Sequence, residues 1–197
     1  MLAAVDTYLQ TDRVTLRRFR AEDADLLVEL DSDPEVMRYL SGGAPTAPEV
    51  VRDQVLPSLL VAYERWAGAF GVFAAYERTS DAFVGWFCLR PQREGPLDEV
   101  ELGYRLRRAA WGSGYATEVC AALLTRAFTE LDVRVVWGET MALNRASQRV
   151  MEKVGMAVTQ TLGTPEDMLA VEGADLGGYR YEITRDQWEQ RQQPGSA

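Results

Sequence analysis

Histidine is absent from the 197-residue chain, and that one absence removes a large block of chemistry. Without imidazole there is no Ser-His or Cys-His nucleophile pair, so hydrolase mechanisms of that kind are excluded. Cysteine is nearly absent too. Cys88 and Cys120 stand far apart inside apolar stretches, with no paired spacing that would suit zinc. They read as buried free thiols in a reducing compartment. No apolar run reaches membrane-spanning length. Met1 to Gln10 holds no basic stretch ahead of an apolar run, so no secretory signal is expected, and a soluble cytoplasmic protein is. Basic charge is also short: 21 Lys and Arg stand against 30 Asp and Glu, a net charge of -9. That balance argues against a nucleic-acid backbone binder, which needs a basic face, and permits a cationic substrate such as an amine.

What is present suits a single folded domain over 1–197, since 47% hydrophobic and 26% charged residues are globular values. Val14 to Leu16, within Thr11 to Phe19, reads as a strand. Glu22 and Asp23 open an apolar-periodic helix carrying Ala24, Leu27 and Leu30. Ser32-Asp33-Pro34-Glu35 starts a second helix, with Val36, Met37 and Leu40 expected on its buried side. Thr46-Ala47-Pro48-Glu49 has the sequence of a capping box, and its helix should be kinked or interrupted at Pro57 before ending near Trp66.

Three strands are expected next: Ala69 to Tyr76, Phe83 to Arg90, and Glu99 to Leu106. In the third, Val100, Leu102, Tyr104 and Leu106 share one face, while Glu101, Gly103 and Arg105 share the other. Gly114 to Leu131 has helical apolar spacing. Val133 to Met141 is a strand, and Asn144 to Val154 a helix with an asparagine N-cap and Gly155 as left-handed C-cap. Strands near Met156 to Leu162 and Tyr179 to Thr184 follow, separated by a loop or hairpin from Gly163 to Gly178. Gln190 to Ala197 is expected to be a flexible tail. The sum is an α+β domain around one twisted sheet.

The chemistry starts at Gly112-Ser113-Gly114, between a strand and a helix. Glycines there allow close backbone approach to a bulky anion, and the unpaired amides of a helix N-terminus hold negative charge. Alone, this pattern equally fits a tight turn with no ligand. The dinucleotide fingerprint lacks its third glycine, and no Gly-Lys-Ser/Thr marks a Walker loop.

The neighbouring blocks add specificity. Glu101-Leu102-Gly103-Tyr104-Arg105-Leu106 comes first, then Trp111-Gly112-Ser113-Gly114-Tyr115-Ala116-Thr117-Glu118, then Asn144-Arg145-Ala146-Ser147 and Glu152-Lys153-Val154-Gly155-Met156. In that order they resemble the GNAT superfamily of N-acetyltransferases, and more closely its branch of ribosomal-protein N-terminal alanine acetyltransferases. The opening is similar as well: Thr11 to Arg17, Glu22-Asp23, and Ser32 to Leu40. The resemblance implies a mostly antiparallel mixed sheet of about six or seven strands, splayed between Glu99–Leu106 and Val133–Met141. It also implies an acetyl-CoA-dependent transfer of an acetyl group to a primary amine, by direct attack in a ternary complex. A catalytically idle module that binds coenzyme A or a partner in the same cleft is the competing reading.

On that resemblance the pantetheine arm would pair with the backbone of Tyr104, Arg105 and Leu106. The pyrophosphate would rest on the loop Trp111, Gly112, Ser113, Gly114, Tyr115, Ala116 and Thr117, and Asn144 would reach the pantetheine or simply cap its helix. Glu101 is a candidate base, directly or through water, or else a sheet-edge carboxylate. The superfamily's frequent tyrosine acid falls at Met151, which has no proton to give. Ser147 is where the closer branch places a serine, which would bond the leaving sulfur, or else helps the cap. Trp86, Phe87, Trp66 and Tyr39 are candidates for an acceptor pocket or for core. No metal, nucleic acid or membrane is expected as a partner. The acceptor would be a peptide N-terminus or a small-molecule amine, and the protein a monomer or homodimer.

Overall fold

The computed structural model describes residues 7–92, 94–164 and 171–193. Alternating and β-branched segments become eight strands: β1 (Thr7–Gln10), β2 (Val14–Arg18), β3 (Gly71–Glu77), β4 (Phe83–Pro91), β5 (Glu99–Leu106), β6 (Val135–Met141), β7 (Ala157–Leu162) and β8 (Gly178–Thr184). They form one sheet in the order β1-β2-β3-β4-β5-β6-β8-β7. Every neighbouring pair is antiparallel except β5 and β6. The strand count exceeds the expected six or seven, because β1 had no legible pattern of its own.

The helices are α1 (Ala24–Ser32), α2 (Pro34–Ser41), α3 (Pro48–Val50), α4 (Leu56–Arg65), α5 (Tyr115–Glu130), α6 (Arg145–Lys153) and α7 (Arg185–Gln192). Two apolar layers sandwich the sheet. On one face Val119, Leu123 and Ala127 of α5 pack with Phe87, Leu89, Leu102 and Val136. On the other, Leu27 and Leu30 of α1 and Leu56 of α4 pack with Phe19, Ala74 and Phe83. Each large side chain so enclosed contributes about 1.5–3 kcal/mol of burial. Cys88 and Cys120 are buried free thiols, as expected, and burial pushes Cys88 up to about 12.

Local chemistry explains the elements and their departures from expectation. Asp33 caps α2 by accepting from the Glu35 amide. Val36 and Met37 are buried, but Leu40 is 46% exposed, at the end of the helix beyond the core. No capping box forms at Thr46. Its hydroxyl instead donates to Asp31 Oδ2 at 2.8 Å, and Ala47 takes the N-cap position without a side-chain bond. The interruption at Pro57 appears one turn earlier. Val51–Val55 widens into a π-helical stretch in which the Leu56 amide reaches the Val51 carbonyl, re-registering the ladder around a residue that has no N–H to give. Gln190–Gln192, expected in a frayed tail, belong to α7, which starts on a Thr184–Gln187 capping box. Residues 194–197 lie outside the described ones, as do 165–170 of the loop expected between Gly163 and Gly178.

The feature that places the site is a fork. β5 and β6 pair only over Glu99↔Val135, Val100↔Val136 and Glu101↔Trp137. Beyond Glu101 the strands part, and the Gly103–Leu106 edge keeps its β4 partners on one side with no β6 partner on the other. Gly138 is a close approach just past the fork: a Cβ there would lie 2.8 Å from the Leu102 carbonyl oxygen.

Candidate active site

The fork opens into a cleft of about 790 Å³, bounded by β5, β6, α2 and the N-termini of α5 and α6. Most residues singled out by sequence line it: Tyr104, Arg105, Leu106, Trp111, Gly112, Gly114, Tyr115, Ala116, Thr117, Asn144 and Ser147. Ser113 does not. Its carbonyl faces Arg13, accepting from Nη1 at 2.9 Å.

The loop into α5 leaves a helix N-terminus open to the cleft. Gly114 is the N-cap residue at φ 83°, and no side chain caps the helix, so the first-turn amides remain without a capping acceptor. Trp111 is 47% exposed, and its indole N–H donates to the Leu106 carbonyl at 2.9 Å, clamping the loop to the end of β5. Glu118 in this first turn suits the helix but would repel a bound anion if its charge were free. It accepts instead from Thr11 Oγ1 at 2.6 Å, the Arg13 amide at 3.0 Å and Arg13 Nε at 2.6 Å. Burial works to raise the Glu118 pKa, but these bonds outweigh it and hold the carboxyl below its usual value.

Arg149 and Lys153 of α6 also line the cleft, and among the described residues neither has an ion-pair partner. Two uncommitted cations beside an uncapped helix N-terminus make this wall positive in a chain of net charge -9. Arg105 adds little, because its guanidinium turns away to Asp31 and over the Trp86 ring.

Asn144 caps α6, its Oδ1 accepting from the Ser147 amide at 3.1 Å. Ser147 Oγ lies 3.0 Å from the Tyr104 phenol oxygen. Burial pushes the Tyr104 pKa up, so the phenol holds its proton. Met151 is buried, with its methyl group 3.2 Å from a Cβ position at Gly138. Glu101 does not line the cleft. It stands at the last paired position of the fork, and Arg90 Nε donates to it at 2.8 Å. Among the described residues the carboxylates that do line the cleft are Glu35 of α2 and Glu139 of β6, neither of them a sequence candidate for the chemistry. Of the four aromatic candidates only Tyr39 lines it. Phe87 is fully buried, and Trp66 and Trp86 pack against core clusters.

With this fork and cleft in place, residues 13–157 match the Acetyltransferase (GNAT) domain family. The chain belongs to the GNAT acetyltransferases. It is 33% identical over 193 residues to the FsC-acetyl coenzyme A-N(2)-transacetylase of Aspergillus fumigatus, covering 94% of this chain and 80% of that protein. Two solved structures share the fold with a TM-score of 0.74. One is a GNAT-family acetyltransferase from Bacillus anthracis, 22% identical, with 90% of this chain and 98% of that one covered. The other is the ribosomal L7/L12 alpha-N-protein acetyltransferase RimL in complex with coenzyme A, 16% identical, with 92% and 99% covered.

Proposed function

We propose that the protein transfers an acetyl group from acetyl-CoA to a primary amine by direct attack in a ternary complex. The observation that carries this reading is the fork beside the uncapped α5 N-terminus: an open strand edge for an amide-bearing arm, next to amides and cations for a pyrophosphate. The Aspergillus fumigatus relative, a transacetylase whose name contains acetyl coenzyme A and N(2), supports the donor and the chemistry.

The pantetheine arm pairs with the free edge at Tyr104 to Leu106, where the Leu106 carbonyl keeps one lone pair beside its bond to Trp111. Asn144 Nδ2 is available to the arm while Oδ1 caps α6. The amine attacks the thioester carbon, and nitrogen's proton leaves through water at the fork, relayed to Glu101, which stands outside the cleft at the last paired position of β5. Ser147 donates a hydrogen bond to the departing sulfur. Two amine classes suit this site as acceptors, a protein N-terminus and a small molecule.

The test is a calorimetric titration with acetyl-CoA, followed by free-thiol release over a panel of amines. Binding with micromolar Kd and amine-dependent release are expected. Absent binding at hundreds of micromolar would sink the donor assignment. Binding without release to any amine would favour the idle coenzyme-binding module.

A further inference from the structure

We infer that Tyr104 is a positioning residue for the thiol-departure step, acting through Ser147. The inference rests on the acetyl-transfer reading above. Tyr104 sits on the unpaired edge of β5, and Ser147 in the first turn of α6, on opposite sides of the fork. Both line the cleft, and their oxygens are 3.0 Å apart.

Which hydroxyl donates follows from their acidity. A phenol is a far stronger acid than an aliphatic alcohol, and therefore the better donor, while the alcohol oxygen is the better acceptor. Tyr104 O–H accordingly donates to Ser147 Oγ. That bond occupies one lone pair of Ser147 Oγ and keeps the serine O–H from turning toward the ring, leaving it to donate on the cleft side. Without the phenol, the hydroxyl could rotate freely and donate elsewhere. The Ser147 amide is already committed to Asn144, so the serine backbone is held as well.

In the step itself, the new N–C bond forms as the C–S bond breaks, and its electron pair leaves on sulfur. Ser147 O–H donates a hydrogen bond to the developing thiolate, and Tyr104 keeps its proton throughout, as burial requires. The proton lost by nitrogen goes to water at the fork and sulfur takes one from solvent, so neither hydroxyl is consumed. The buried thioether at Met151 supplies no donor, and the strand-borne phenol with the helix-borne serine provides the polar group on that wall of the fork.

Tyr104→Phe removes one oxygen and keeps the ring that packs 5.7 Å from Phe87. kcat and KM for acetyl-CoA would be measured by thiol release, with Tm alongside as a check on folding. The expected result is a kcat lowered about tenfold, with KM for acetyl-CoA and Tm nearly unchanged. Ser147→Ala should lose more, about a hundredfold. The double variant should be no slower than Ser147→Ala, because Tyr104 has nothing left to orient. Ser147→Thr, which keeps a hydroxyl, should retain activity and stay sensitive to Tyr104→Phe. An unchanged kcat in Tyr104→Phe, a loss confined to KM, or multiplicative losses in the double variant would overturn the inference. A parent protein that acetylates no amine would remove the reading beneath it; an active parent with an indifferent Tyr104→Phe removes this inference alone.

Discussion

Arg13 and Glu118 lock the β1–β2 turn onto the first turn of α5, with Arg13 Nε 2.6 Å from Glu118 Oε2 and Arg13 Nη1 reaching on to the Ser113 carbonyl. The glutamate thereby ties the distant turn to α5 while Arg13 holds the glycine loop at Ser113, and Thr11 Oγ1 completes the contact. Glu118→Ala should cost about 1–2 kcal/mol, given that Arg13 is half exposed. It should also weaken acetyl-CoA binding several-fold by freeing the loop. Urea unfolding and calorimetric titration check both effects. A variant with normal coenzyme affinity would show the loop to be held without this network.

Gly114 tests the loop directly. At φ 83° it sits where a Cβ costs about 1–2 kcal/mol, and an added Cβ would lie 3.4 Å from Arg13 Nη2. Gly114→Asp adds a charge against the phosphates as well as backbone strain. Acetyl-CoA affinity should fall at least about tenfold, with a folded far-ultraviolet spectrum retained. Unaltered affinity would place the pyrophosphate elsewhere.

The cleft wall formed by β5 and the α5 and α6 starts was legible because it is written in contiguous blocks. A strand edge, a glycine loop and two helix starts each carry local signals, and their order adds specificity. On the opposite wall Tyr39 was legible as a candidate, but Glu35 and Glu139 were not, because they come from α2 and β6 and meet only through the tertiary fold. The same holds for Tyr104 with Ser147 and for Thr11 with Glu118. Two local patterns also misled. Thr46 has a capping-box sequence, but Asp31 offered its hydroxyl a partner that the helix could not match. Gln190 to Gln192, read from sequence as the start of a tail, close α7, which a working capping box at Thr184 and Gln187 begins. Glu101 matched its block in sequence, yet the fork begins just beyond it.

Arg17 and Asp23 form a buried bidentate pair, each 6% exposed, with N···O distances of 2.6 and 2.9 Å. Burial alone would raise the Asp23 pKa, but bonds from Arg17 and the Arg20 amide outweigh it, and the folded value lies below the unfolded one. The unfolded chain therefore binds the extra proton, and this stabilisation is complete above the usual carboxylate range and lost as pH falls through the folded value. Asp23→Asn leaves the Arg17 charge unpaired and should cost about 3–5 kcal/mol at pH 7. In urea titrations down to about pH 3 the gap between parent and variant should narrow steadily. A constant gap would mean that the pair contributes through packing and not through charge.

Glu139 tests how the acceptor is chosen. Arg180 is shared by three carboxylates, and it lies 2.6 Å from Glu182 and 2.9 Å from Glu99 but 3.4 Å from Glu139. Glu139 is thus the least neutralised of the three, and it alone among them lines the cleft, with its side chain 45% exposed. An ammonium arriving at the fork would meet that charge before losing its proton. Glu139→Gln should therefore raise KM for a cationic amine about three- to tenfold at low ionic strength. The effect should shrink in about 1 M salt, where the screening length falls to about 3 Å. KM for acetyl-CoA should not move, because the cations on the donor wall, Arg149 and Lys153, belong to another element. A change in the acetyl-CoA KM with the amine KM unaltered would turn Glu139 from an acceptor-binding group into part of the donor wall.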